Sequence, residues 1–492
     1  MTARNRIRFL RRGEVVELTA IDPARTLLDY LRLDEAARGT KEGCGEGDCG
    51  ACTVSLGSLK GGKVVYEPVN ACILLLGQID GKELVTVDDL SRHVMLHPIQ
   101  RALVDHHGSQ CGFCTPGFVM SLFPLYQSDV AADRKAVVDQ LAGNLCRCTG
   151  YRPIVEAALA ACTGKPDDAW SEAKAEIVQT LQGFEDGSDL FIGDDRAFFA
   201  APAFDEALAR LTEKHPDAVI LSGATDVGLW VTKQLRQIRK IIFLGRMRSL
   251  RQISDTADGV KIGAAVTYAE AEPSLSAIDP DLAELLRRLG SKQVRAAGTI
   301  GGNIANGSPI GDTPPPLIAL GAELELRKGG SARRLALEDF FIAYGKQDRS
   351  AGEIVASISL PKLKNDEVFR CYKITKRFDQ DISSILGAFK FSLAGRSIAK
   401  ARIAYGGMAA TPKRAGKTEA AVISLSLDDP ASWAAAAEKL AEDFEPIGDH
   451  RASAVYRSET AKSLLIKALT EISGEATLNT RVMGVRESVH AG

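Results

Sequence analysis

The chain has 492 residues, 45% of them hydrophobic and 25% charged, with a net charge of −2. That composition supports about three domains at ~150 residues each, and it offers no electrostatic ground for binding nucleic acid or an anionic membrane. Arg11-Arg12 is followed by the alternating Gly13–Leu18 rather than the ~7–15 apolar residues of an export signal, and the longest apolar run, Ala71 to Leu76, is far short of the ~18–20 residues of a membrane span. A cytoplasmic location is expected, where cysteines stay reduced.

In chain order, residues 1–90 open with two alternating segments, Arg6–Leu10 and Glu14–Leu18, that predict strands. Thr26–Leu31 has helical spacing, and Thr53–Leu56 and Val64–Pro68 predict further strands. Short strands around one helix indicate a small α+β domain. Between them lies Cys44-Gly-Glu-Gly-Asp-Cys49-Gly-Ala-Cys52, followed by Cys72. The spacing C-x4-C-x2-C…C is that of plant-type [2Fe-2S] ligation. Zinc sites more often pair two C-x2-C units. The glycines let backbone N–H groups approach sulfur.

Residues 91–164 read as helical over His97–His107, Gly117–Leu125, Arg134–Leu141 and Ile154–Ala161. They hold a second quartet, Cys111, Cys114, Cys146 and Cys148, in which C-x2-C and C-x-C taken alone fit zinc or a cluster equally. Both pairs are expected just before helices, where exposed N–H groups favour thiolate and cluster charge. Cys162 and Cys371 lack partners and read as small buried hydrophobes. The seven histidines form no ligand set, and His93 and His97 have no third ligand.

Residues 165–197 read as a charged linker with one helix over Trp170–Leu181, its length suggesting separately folding flanks. Residues 198–361 alternate strands, helices and glycine turns. Ala218–Asp226, Ile241–Leu244 and Val260–Ala265 predict strands, and Leu282–Leu289 a helix. Residues 297–312 contain five glycines and two asparagines, predicting a loop rich in bare backbone donors that holds a pyrophosphate, or a purely structural turn. No strand–GxGxxG–helix unit surrounds it. In 367–482, Arg370–Lys376, Ser384–Ser392 and Ala401–Gly406 predict strands, and Trp433–Glu442 and Tyr456–Leu469 helices. No catalytic constellation is legible there.

The order of these motifs, with Gln110–Gly117, Gly143–Pro153 and the Gly301-Gly302-Asn303 loop, resembles the iron–sulfur and flavin portion of the molybdenum hydroxylase family over almost the whole chain. The resemblance implies a multidomain α+β protein. Its parts are a β-grasp plant-type [2Fe-2S] ferredoxin-like domain (1–90), a four-helix [2Fe-2S] domain (91–164), the linker, an α/β FAD-binding domain of the carbon monoxide dehydrogenase flavoprotein type (198–361) and an α+β C-terminal domain (367–482).

It implies two [2Fe-2S] clusters on the eight cysteines. It also implies FAD on Ile220, Leu221, Ser222, Gly223, Ala224, Thr225, Asp226 and Val227, on Thr299, Gly301, Gly302, Asn303, Ile304, Ala305, Asn306, Gly307 and Asp312, and on Leu289, Val355 and Lys373. Leu289 stands where animal members carry a phenylalanine. The implied activity passes electrons from purine (hypoxanthine/xanthine) hydroxylation at a molybdopterin-binding large subunit through the clusters to FAD and then NAD+, in an (αβ)2 heterotetramer. The alternatives are the equivalent subunit of another molybdenum hydroxylase, acting on an aldehyde or N-heterocycle, and a stand-alone NADH-dependent reductase.

Overall fold

The structure is a computed structural model that describes residues 3–91 and 95–474; His93 lies outside them, as do residues 475–482 of the expected C-terminal domain. The chain divides into two compact units, one of residues 1–249 with 290–298, the other of 250–289 with 299–492.

In the first unit, strands β1 (Ile7–Arg11), β2 (Glu14–Leu18), β3 (Thr53–Lys60), β4 (Lys63–Asn70) and β5 (Glu83–Val85) form one sheet in the order β2-β1-β5-β3-β4. β1 and β5 are parallel and the other pairs antiparallel. β3 and β4 run longer than the sequence suggests because Gly61-Gly62, at φ 58° and 76°, supply the two left-handed residues of a tight hairpin whose twist matches its strands. Phe9, Val54 and Leu56 turn inward onto Leu27, Leu28 and Leu31.

Four helices follow: α1 (Pro98–Asp105), α2 (Thr115–Tyr126), α3 (Arg134–Leu141) and α4 (Arg152–Ala161). α2 is apolar nearly all round and buries Phe118, Met120, Leu122 and Phe123, as a central helix must. His97 begins α1. Its Nδ1 accepts from the Ile99 N–H at 3.2 Å, which leaves Nε2 facing Asp168 Oδ2 at 2.9 Å.

Residues 165–197 are folded rather than a loose linker. Asp168 caps the turn Ala169–Glu172, and Lys174–Phe184 is helical. Trp170, Ile177, Leu181 and Phe184 are buried in the same core as α1–α4, each contributing roughly 1.5–3 kcal/mol of apolar burial. The charges that make the segment look like a linker lie on its outer face or in pairs such as Arg8–Asp186. Leu190–Gly193, Phe198–Ala201, Lys240–Phe243 and Val219–Leu221 then form a four-stranded sheet in that spatial order, sharing the core of the first sheet.

The second unit has an antiparallel sheet ordered Ile253–Asp255, Gly259–Gly263, Ile354–Pro361, Glu323–Lys328 and Ser331–Ala336. It also has a four-stranded meander from Glu367–Ile374 to Lys413–Arg414. The helix Ala454–Ser473 lays Leu464, Leu465, Ala468 and Leu469 on that meander beside Trp433.

Candidate functional site

Each cysteine quartet is arranged as two pairs. In the first, the N–H groups of Cys44 and Cys49 each donate to the other's Sγ at 3.3 Å, while Cys52 and Cys72 sit Sγ to Sγ at 3.2 Å. In the second, Cys114 neighbours Cys146, and Cys111 neighbours Cys148. A two-iron cluster needs two thiolates per iron, and the pairs match that division.

The loop around the first quartet is built for thiolate. The Cys44 thiol is pushed down to about 5, chiefly by its hydrogen bond with Cys49, helped by backbone N–H donors that include Glu46; Cys49, holding the shared proton, is pushed up. Asn70 Nδ2 pins the loop through the Gly47 carbonyl at 2.8 Å. Cys52 and Cys72 are buried in the sheet core. In the second quartet Cys111 and Cys148 are exposed, and Cys114 is pushed up to about 12 by burial. Cys146 is lowered despite burial because the Thr149 hydroxyl, 3.2 Å from its Sγ, and nearby backbone N–H groups favour the thiolate.

As expected, Cys114 precedes α2 directly and Cys146-Cys148 lie shortly before α4. Asn70, Thr149 and Lys233 escape a reading of ligand spacing alone. Lys233 Nζ donates to the Cys44 carbonyl and lies 3.6 Å from Glu46, and no sequence signal links positions 189 residues apart.

The two loops touch. The Leu145 N–H donates to the Cys49 carbonyl at 3.0 Å, and Asn144 Nδ2 to the Gly50 carbonyl at 3.1 Å. Gly50 is at φ +70°, and a Cβ there would stand 2.2 Å from the Gly143 carbonyl oxygen. Only glycine permits this contact.

Of the expected flavin residues, Ile220–Val227 lie in the first unit. Val219–Leu221 is a short strand with Leu221 in the core, and Ala224 turns the chain at φ +62°. Ser222 presents a buried hydroxyl with no hydrogen-bond partner, while its carbonyl accepts from Gln78 Nε2 at 3.1 Å. An orphaned buried hydroxyl at the end of a strand fits a polar ligand group.

The others lie in the second unit, where residues 300–306 are a helix rather than a loop of bare donors. Thr299 Oγ1 accepts from Gly302 N, and Gly307 ends the helix in the left-handed conformation. The N–H groups of Ile300 and Gly301 are already bonded to the carbonyls of Val266 and Ala264. Glycine content hides the helix; tertiary hydrogen bonds and close approach impose it, since a Cβ on Gly301 would lie 2.4 Å from Ala264 Cβ.

Gly302 and Asn306 are exposed, and Ile304 is core. Asn303 Oδ1 accepts from Thr313, which in turn meets the Tyr268 hydroxyl at 3.0 Å. Asp312 pairs with the buried Lys373 ammonium and accepts from Ser383 Oγ at 2.5 Å. Leu289 and Val355 are buried in the apolar core, and Ala305 offers its carbonyl to Gln347. Asn303, Asp312 and Lys373 are thus held by polar networks of their own unit, and Leu289, Ile304 and Val355 lie among apolar neighbours.

Among the described residues no helix is long and apolar enough to cross a membrane.

Four family models match the chain. Residues 11–75 match the 2Fe-2S iron-sulfur cluster binding domain and 86–159 the [2Fe-2S] binding domain. Residues 195–363 match the FAD binding domain in molybdopterin dehydrogenase, and 370–472 the CO dehydrogenase flavoprotein C-terminal domain. The chain thus carries the iron–sulfur and flavin electron-transfer domains of the molybdenum hydroxylase family of oxidoreductases.

Similar proteins include xanthine dehydrogenase 1 of Arabidopsis thaliana, 31% identical over 80% of this chain and 34% of that protein. Xanthine dehydrogenase/oxidase of Rattus norvegicus is 31% identical over 87% of this chain and 36% of that protein. The chain spans about a third of the length of these relatives. Among solved structures, a carbon monoxide dehydrogenase from Hydrogenophaga pseudoflava covers 55% of this chain and 95% of its own at 26% identity, with a TM-score of 0.52.

Proposed function

We propose that this chain is the iron–sulfur and flavin subunit of a bacterial xanthine dehydrogenase, working in the cytoplasm beside a molybdopterin-binding large subunit in an (αβ)2 heterotetramer, with NAD+ as final acceptor. When bound, the clusters supply one-electron carriers and the flavin a two-electron store, which couples purine hydroxylation on the partner to NAD+ reduction. Cys44, Cys49, Cys52 and Cys72 would hold one cluster, and Cys111, Cys114, Cys146 and Cys148 the other. Ile220–Val227 and the 299–312 segment, with Leu289, Val355 and Lys373, are the proposed flavin residues. Cys111 and Cys148, exposed beside Phe113, Leu145 and Tyr151, make the second quartet the side proposed to face the partner. The gathering of eight cysteines into two adjoining loops, the first divided into the pairs Cys44–Cys49 and Cys52–Cys72, is the observation that carries this reading.

The 492-residue chain, purified anaerobically, should contain about four iron and four acid-labile sulfide per chain with non-covalent FAD. It should oxidise NADH with a dye acceptor and gain xanthine oxidation only with its large subunit. Stoichiometric zinc, or xanthine oxidation without molybdenum, would overturn the proposal. The likeness to a carbon monoxide dehydrogenase structure keeps a second reading, the same role beside a large subunit with another substrate; activity of the purified complex on an aldehyde or N-heterocycle, and none on purines, would establish it.

A further inference from the structure

Gln293 lies in the nine-residue excursion Gly290–Gly298, by which the chain returns to the first unit. It is the second residue of the helical turn Lys292–Ala297, which Ser291 caps by accepting from Val294 N. Its side chain is 1% exposed. Nε2 reaches three oxygens: Thr53 Oγ1 at 3.2 Å, Ser121 Oγ at 3.0 Å and Asn144 Oδ1 at 3.1 Å.

The orientation of the carboxamide follows from the neighbours. Thr53 Oγ1 already donates to the Gly50 carbonyl at 2.7 Å, and Asn144 already points its Nδ2 at that carbonyl and its Oδ1 toward Gln293. Both atoms facing Gln293 are acceptors, so the nitrogen must face them. Oε1 is then buried without a partner, and it fills the space a side chain at Gly143 would take: a Cβ there would lie 2.0 Å from Oε1.

These contacts are to the segments that carry the cluster ligands. Thr53 follows Cys52, Gly50 lies between Cys49 and Cys52, and Asn144 stands two residues before Cys146. Ser121 belongs to α2, which starts directly after Cys114. A polar side chain wholly desolvated and leaving one oxygen unsatisfied is costly to keep. A structural plug between two loops would be apolar. A carboxamide with two donors aimed at acceptors from three separate segments instead fixes their relative placement.

We propose that Gln293 is a positioning residue that keys the two cysteine loops to one another and so sets the separation, and hence the electronic communication, of the two iron–sulfur sites. This rests on the two-cluster reading above.

The test uses the full chain with both clusters reduced. Gln293→Met keeps length and apolar volume but removes every donor. Gly143→Ala keeps the glutamine but expels its carboxamide. Iron and sulfide are measured first, then the magnetic interaction between the clusters, read as spin–spin splitting and relaxation enhancement in EPR. The unsubstituted chain is expected to show the interaction. Both variants are expected to retain full iron and sulfide and to lose or diminish it, with altered protection of the Leu145 amide in hydrogen exchange.

An interaction unchanged in either variant at full cluster content overturns the proposal, as does its absence from the unsubstituted chain. Loss of a cluster from Gln293→Met also overturns it, by making the residue a fold determinant. An unsubstituted chain that cannot be loaded with both clusters fails the two-cluster reading itself, which separates the two failures.

Discussion

Leu145 donates its backbone N–H to the Cys49 carbonyl at 3.0 Å. One hydrogen bond therefore joins a ligand of the first quartet to the residue adjoining Cys146, a ligand of the second. Two domains that are separate in sequence meet here at their cysteine loops, and the consequences of disturbing either loop differ with burial.

Cys72 is in the sheet core and Cys148 is exposed. Replacing Cys72 with alanine should remove one cluster, about two iron, and lower the thermal midpoint of the first unit, because ligation there is also folding energy. Cys148→Ala should remove about two iron with a much smaller change in midpoint. Iron analysis beside differential scanning calorimetry checks this; equal destabilisation by both would contradict the role given to burial.

Lys233 places an ammonium on the Cys44 carbonyl. A nearby cation stabilises the reduced, more negative cluster, so Lys233→Gln should lower the midpoint potential of the first cluster. The lysine is 45% exposed and partly neutralised by Glu46, so the effect should correspond to ~0.2–1 kcal/mol, roughly 10–40 mV for one electron. An EPR-monitored redox titration reads the shift; an upward one would contradict it.

Glu83 is buried, with Tyr66 and Trp170 donating to its two carboxylate oxygens at 2.7 and 3.0 Å. Burial nevertheless outweighs both donors and pushes the acid up to about 7. The folded state then binds the proton more tightly than the unfolded one. Its stabilising effect is complete below the unfolded value near 4.5 and is lost as pH rises toward 7. Glu83→Gln, which preserves one acceptor and can donate to the tyrosine oxygen, should flatten that decline by at most about 3 kcal/mol. Denaturant midpoints between these pH values test it, and a decline just as steep in the variant would discount Glu83.

Asp80 accepts two bonds from Arg4, one from Arg246 and one from the Arg8 N–H, with its own side chain 2% exposed. Asp80→Asn removes the nearest counter-charge of two largely buried guanidinium groups, leaving Arg246 only Asp186 at 3.9 Å, and should cost about 3 kcal/mol. Urea unfolding gives the value; a loss under ~1 kcal/mol would show the arginines are satisfied elsewhere.

Gly301 and Gly302 separate fold from flavin. Gly301→Ala meets Ala264 at 2.4 Å and should destabilise the second unit, whereas at Gly302 a new Cβ meets no backbone and only the cap oxygen Thr299 Oγ1 at 2.7 Å, whose displacement costs about 1 kcal/mol. Gly302→Val should keep helical circular dichroism but lose FAD, since Gly302 is exposed at the start of the helix. Full flavin content in folded Gly302→Val would remove this segment from the proposed flavin residues.

Local order is what the amino-acid sequence announces most clearly. The cysteine spacings are legible because ligands on one short loop must be close in sequence, and β1–β4 and α1–α4 because alternation and helical period are local signals. The rest is decided over distance. Helix 300–306 is hidden by glycines whose reason is the close approach of Ala264, and the charged 165–197 segment folds because Trp170, Ile177 and Leu181 find a core supplied by α1–α4. The ammonium of Lys233 on the first loop and the carboxamide of Gln293 between both loops are contacts across 149 to 240 residues. They exist only once packing has paid the entropy of bringing those segments together, and no spacing along the chain records them.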